Sequence, residues 1–195
     1  MLENDVRARA SQNTEHSTSM EYMMQNGYDF SWEDLGDLSI GRPNLGDQTS
    51  VIVYRLMHFT FKDVLSKELG LKKTREVMVA AGKLAGREFC CHVLDTSLSF
   101  SEFIADLKEK LIALKVGILR IEEADMEALR FTLTVSEDLD CSGLPIFGDS
   151  VCDYDEGFIA GILDAYTGKE FVVREVDCWA TGDRTCRFTA RLMEG

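Results

Sequence analysis

The sequence predicts an α+β domain: an antiparallel sheet covered by helices, with a carboxy-terminal helix and hairpin joined through cysteines. Three observations carry this. Helical spacing of apolar residues dominates from about Ser50 to Lys115; strict apolar–polar alternation takes over after Gly117; and one more helical segment precedes a last alternating pair.

The elements follow in chain order. Residues 1–35 form a polar arm rich in Asn, Gln, Ser and Glu, with one short helix near Met20–Gln25, and residues 36–195 form a single domain. Gly36–Asp47 carries three glycines and Pro43, which predicts turns around a short strand. In Val51–Leu69, Met57, Phe59 and Phe61 alternate with His58, Thr60 and Lys62 as in a strand. The continuation to Gly70 has helical charge spacing and a glycine stop, so the segment is read as one helix from about Ser50. Lys72–His92 is a second helix, in which Ala80, Gly82, Ala85 and Gly86 permit close approach of a neighbour. Ser99–Lys115 is a third, opened by a Ser99/Glu102 capping box and striped with Phe103, Leu107, Leu111 and Leu114. Gly117–Glu123 and Ala128–Ser136 pair as antiparallel strands. A fourth helix opens at Asp149 or Ser150, presents Tyr154, Phe158, Ile162 and Tyr166 on one face, and ends at Gly168. Glu170–Trp179 and Arg184–Leu192 close the chain as a hairpin around Thr181-Gly182-Asp183.

Composition narrows the function classes. A net charge of −13 opposes phosphate backbones and anionic membrane surfaces, which excludes direct nucleic-acid binding as an expectation. No run approaches the roughly 18 apolar residues of a membrane span. Met1–Ser19 lacks an apolar signal core, so the expected location is the cytoplasm. There the six cysteines stay reduced, and metal binding or burial is the leading reading for them.

The informative segment is Val151–Phe188. With the hairpin turn centred on Gly182, Cys178 lies across from Cys186, close enough for two thiolates to share one ion, and Cys152 heads the helix packed over them. Glu175 is the candidate fourth ligand, although residues three apart on a regular strand point to opposite faces; the strand must twist or bulge for Glu175 and Cys178 to converge. Arg174, Arg184 and Arg187 are available to offset the charge of such a site. The plain alternative, a set of ordinary buried cysteines, fits the spacing equally well. Cys90, Cys91 and Cys141 are read as structural, Cys141 in a loop from Asp138 to Gly143. The acidic residues Asp149, Asp153, Asp155 and Glu156 lack calcium-loop order and are assigned to helix amino-terminal charge.

These residues resemble the 4-vinyl-reductase domain family, which also supplies the effector-sensing domain of aromatic-responsive transcription activators. The pattern is Cys152, then Gly157-Phe158-Ile159-Ala160-Gly161, Gly168, Glu175, Cys178, Gly182-Asp183 and Cys186. The resemblance implies a structural zinc on Cys152, Glu175, Cys178 and Cys186. It further implies a domain that binds or senses a small apolar, aromatic or tetrapyrrole-like molecule and acts through a protein partner. A reductase-like accessory of tetrapyrrole metabolism, or an assembly protein like the related TRAPP subunits, is the alternative. Catalysis is disfavoured, because a closed four-ligand zinc has no open position. The pocket is expected among Phe89, His92, Phe103, Leu107, Tyr154 and Phe158, and the long apolar run Val51–Phe61 predicts a homodimer.

Overall fold

The computed structural model describes residues 27–193. Most of the expected arm, with its short helix near Met20–Gln25, lies outside them. The chain separates into two units at Asn44/Leu45. In the first, a 3-10 turn at Trp32–Leu35 is followed by a one-turn helix at Leu38–Gly41. The short strand expected here is not formed, because the Asp37 carboxylate accepts from the Ser39 and Ile40 amides and caps a helical turn instead.

The second unit holds four helices and four strands. These are α1 (Val51–Leu69), α2 (Leu71–Val93), α3 (Phe100–Ala113), β1 (Ile118–Asp125), β2 (Arg130–Ser136), α4 (Asp153–Thr167), β3 (Phe171–Asp177) and β4 (Cys186–Leu192). The strands make one antiparallel sheet in the order β1-β2-β4-β3. Helix ends follow local chemistry. The Ser50 hydroxyl accepts from the Ile52 amide at the start of α1, and Gly70, at φ 80°, ends α1 and lets α2 begin at once. The Ser99 amide and hydroxyl both donate to the Glu102 carboxylate at the start of α3. Gly168 closes α4 in the left-handed conformation.

α4 begins at Asp153, three to four residues later than the sequence suggests. The carbonyls of Ser150 and Val151 are held by Arg75 and Lys62, which keeps that stretch out of the helix. α2 and α4 then cross with their backbones in contact. A methyl group on Gly82 would fall 2.0 Å from the Tyr154 carbonyl oxygen, and on Gly86 2.1 Å from that of Phe158. On Gly157 it would fall 2.0 Å from the Val79 oxygen, and on Gly161 2.2 Å from that of Lys83. Two glycines on each helix, four residues apart, therefore make the crossing possible. Buried Asp164 fastens it: one oxygen meets Lys83 Nζ at 2.9 Å and Arg87 Nη2 at 2.6 Å, and the other accepts from the Phe171 amide.

The core lies between the sheet and α3/α4, around the fully buried Phe103, Phe171 and Phe188. Phe103 stacks on Tyr166 at 4.0 Å between ring centroids, and the Tyr166 hydroxyl donates to the Leu98 carbonyl. α1 is different. Its sole buried residue is His58, while Ile52, Leu56, Met57 and Phe61 are exposed.

Gly86→Ala tests the crossing. In an open helix the change would stabilise by about 1 kcal/mol, but here overpacking should cost about 2–3 kcal/mol net. Denaturant unfolding should show the loss, with Gly41→Ala, whose added methyl meets nothing within 4 Å, as the neutral control.

Candidate functional site

Three segments converge at the hairpin end of the sheet. β3 loses register with β4 between Glu175 and Asp177, where Glu175 faces Phe188 and Asp177 faces Arg187. This irregularity absorbs one residue, Val176, which is exposed. It brings Glu175 and Cys178 to the same side, the convergence that a regular strand forbids. After Cys178 the chain makes a 3-10 turn, Trp179–Thr181, closed by Gly182 at φ 112°. The broad turn leads into Cys186 at the start of β4.

The loop from Glu137 to Val151 is sewn over this turn. The Trp179 indole donates to the Leu144 carbonyl, and the Phe147 and Gly148 amides donate to the Ala180 carbonyl. At its base, Asp138 Oδ1 accepts from the amides of Asp140 and Cys141 at 2.9 and 3.0 Å. The turn so formed aims Cys141 inward. Polar side chains of α1 clamp the same loop. Tyr54 donates to Asp140 Oδ1 at 2.6 Å, and Arg55 donates to the carbonyls of Leu139 and Ser142. Lys62 meets Asp153 Oδ2 at 2.7 Å, and His58 Nε2 lies 3.9 Å from Asp140 Oδ2.

The result is a cluster of four buried thiols, Cys141, Cys152, Cys178 and Cys186, whose sulfurs all lie within 4.8 Å of one another. Cys152 Sγ is 3.9 Å from both Cys178 Sγ and Cys186 Sγ, and Cys141 Sγ is 3.0 Å from Cys186 Sγ. A tetrahedral zinc with bonds of about 2.3 Å separates its sulfurs by about 3.8 Å. Two of the separations match that edge; the third needs to widen by less than an ångström. The donor set therefore fits a thiophilic dication. Without one, hydrogen bonds from Cys141, Cys152 and Cys186 pull the Cys178 thiol strongly down, while bonding to Cys141 pushes Cys152 and Cys186 up.

Cys141, read from the sequence as a structural loop cysteine, is thus part of the cluster. No spacing motif marks it: it is brought in by the Asp138 turn and by contacts from α1, far away in sequence. Glu175 lies beside the sulfurs, with Oε2 3.4 Å from the Cys152 amide nitrogen and Oε1 buried without a hydrogen-bond partner. Burial, with the nearby Cys178 charge, pushes its carboxyl up to about 8. The arginines expected to offset the site are engaged otherwise. Arg174 pairs with Glu156, whose other oxygen accepts from the Glu175 amide, and Arg187 pairs with Asp177 and Glu122. Cys90 is buried in α2, where burial pushes its thiol up to about 11, and Cys91 is exposed.

A cavity of about 50 Å³ opens between α3, α4 and the β1/β2 half of the sheet. Three of the six residues expected to form a pocket, Phe103, Leu107 and Phe158, line it, with Leu133 of the sheet opposite. Phe89 sits behind Phe158, ring centroids 5.3 Å apart. His92 does not reach the cavity, because its helical phase puts it on the exposed side of α2, bonded to the Glu88 carbonyl. Tyr154 turns toward His58 instead, at 6.2 Å. The polar residues at the wall are Asp138 and Asp155, which the sequence did not single out for this role.

The four-strand antiparallel sheet, the covering helices and the cysteine-bearing helix and hairpin define the class. Residues 131–192 match the family model of the vinyl-4-reductase domain, so the carboxy-terminal segment bears out the 4-vinyl-reductase resemblance. An uncharacterized protein of Methanocaldococcus jannaschii is 27% identical over 150 residues, 77% of this chain and 82% of that relative. Among solved structures, the phenol-responsive sensory domain of the transcription activator PoxR, solved with phenol, aligns with a TM-score of 0.59. It is 16% identical over 76% of this chain and 79% of its own. A vinyl-4-reductase family protein from Methanocaldococcus jannaschii aligns with a TM-score of 0.57 at 17% identity, covering 86% of this chain and 100% of that one. Among the described residues no helix is long and apolar enough to cross a membrane.

Proposed function

We propose that this protein is a small-molecule-binding or sensing domain whose hairpin end is anchored by a structural zinc. The observation that carries the reading is the apolar cavity between α3, α4 and the sheet, lined by Phe103, Leu107, Leu133 and Phe158. Apolar concavities of this kind are the usual seat of small ligands. The shared fold with a phenol-responsive sensory domain supports it.

Cys152, Cys178 and Cys186 supply three zinc ligands, and the sulfur geometry favours Cys141 over Glu175 for the fourth. When bound, the ion ties α4, the Glu137–Val151 loop and the last hairpin together and takes no part in chemistry. The exposed apolar side chains of α1 support a second element of the proposal, a homodimer formed across that helix.

The cavity reading is tested with an apolar fluorescent dye. It should bind the full-length protein, and Leu107→Trp, which fills the cavity, should abolish binding while metal content stays intact; no binding at high micromolar dye would overturn the reading. Elemental analysis after purification without chelators should give about one zinc per chain. After cobalt substitution, Cys141→Ser should remove about a quarter of the thiolate-to-metal charge transfer, and Glu175→Gln none of it. Equal intensity in Cys141→Ser and the unmodified protein would return the fourth position to Glu175. Light scattering should give a dimer mass, and Phe61→Glu a monomer that keeps its metal. A monomeric parent protein at micromolar concentration counts against the α1 interface.

A further inference from the structure

The end of the cavity nearest the thiols is acidic, and among the described residues nothing answers that charge. Asp138 is 4% exposed, and its Oδ1 is occupied by two backbone amides. Asp155 Oδ2 is sealed from solvent and has no hydrogen-bond partner. A carboxyl oxygen from each aspartate lies within 4.8 Å of the other and of Cys152 Sγ, so the two acids converge on one point of the cavity wall.

The basic groups around that point are committed elsewhere. Lys62 holds Asp153 and the Val151 carbonyl, and Arg55 holds the carbonyls of Asp138, Leu139 and Ser142. His58 faces Asp140. Among the described residues, no Lys, Arg or His forms an ion pair with Asp138 or Asp155. Buried carboxyl oxygens are ordinarily satisfied, and a lone pair of them at the end of an apolar cavity calls for a partner from outside.

We propose that the cavity takes a small apolar molecule bearing a primary amine, its ammonium between Asp138 and Asp155 and its hydrocarbon body against Phe103, Leu107, Leu133 and Phe158. This rests on the reading of the cavity as the ligand site and assigns the chemistry of what fills it. An ammonium brings three donors and one positive charge, enough to engage Asp155 Oδ2 and the free side of Asp138 together. A hydroxyl brings one donor and no charge, and a carboxylate is repelled. A cavity of about 50 Å³ holds the centres of roughly four water-sized spheres. A single aromatic ring on a short arm is of that scale.

The experiment is a titration of the full chain, in an amine-free buffer at neutral pH, with benzylamine, benzyl alcohol, toluene and benzoate, each displacing the apolar dye. Benzylamine should bind at least about tenfold more tightly than the alcohol or the hydrocarbon, and benzoate should not compete. Asp155→Asn should bring the amine to within about threefold of the alcohol and leave toluene unchanged. If toluene or benzyl alcohol matches benzylamine in the unmodified protein, the amine assignment falls and the apolar ligand site stands. If neither the dye nor any of the four binds, the ligand site itself falls. A second metal ion per chain, lost in Asp155→Asn, would show that the acids hold a cation of their own and would also overturn the assignment. The series on the unmodified protein decides the matter even where the variant fails to fold.

Discussion

The contact of α2 with α4, backbone against backbone, is the constraint on which the rest of the domain depends. Four glycines let carbonyl oxygens of one helix occupy the space where side chains of the other would stand. Interiors pack at crystalline density, so a helix brought this close cannot be displaced without loss across its whole length. α4 is also the helix that carries Cys152 at its amino-terminal cap, Asp155 and Phe158 at the cavity, and Glu156 beneath Glu175. Placing α4 therefore places one thiol, one buried acid and one cavity wall at once. Asp164, paired with Lys83 and Arg87 and bonded to the first amide of β3, carries the same placement into the sheet.

The thiol cluster depends on a second departure from regularity. The irregular pairing around Val176 turns Cys178 to the face that Glu175 already occupies, and the broad 3-10 turn gives room for the loop carrying Cys141 to fold over the top. Regular strands joined by a tight turn would present these groups on alternate faces. Backbone irregularity and chemistry thus coincide in the same few residues. The apolar core beneath them keeps standard geometry.

Periodicity made most of this fold legible in advance. Ser50, Gly70, Ser99 with Glu102, and Gly168 mark their helix ends by local hydrogen bonding or by the freedom of glycine, and such signals need only neighbouring residues. Cys152, Cys178 and Cys186 were readable for the same reason: a helix start and a hairpin are local objects. Cys141 was not, because its direction is set by Asp138 and by Tyr54 and Arg55, more than eighty residues earlier in the chain. The delayed start of α4 has a similar origin, in Arg75 and Lys62 taking carbonyls that the helix would otherwise use. His92 and Tyr154 were assigned to the pocket by residue type, and only the helical phase against a particular neighbour decides which way such side chains turn.

α1 inverts the usual helix of a globular domain. It faces the protein with Tyr54, Arg55, His58 and Lys62, and faces outward with Ile52, Leu56, Met57 and Phe61. Its attachment therefore consists largely of directional bonds, each of modest net worth and each breakable alone. An element held in this way can detach while the packed remainder of the molecule stays folded, since local opening draws on the least cooperative contacts. The helix with the most apolar surface is in this sense the most loosely fastened. Because its polar edge grips the loop between Asp138 and Val151, any detachment loosens Cys141 before it disturbs Cys178 or Cys186, which the sheet holds independently. The order of opening is written into the kind of bond each segment uses.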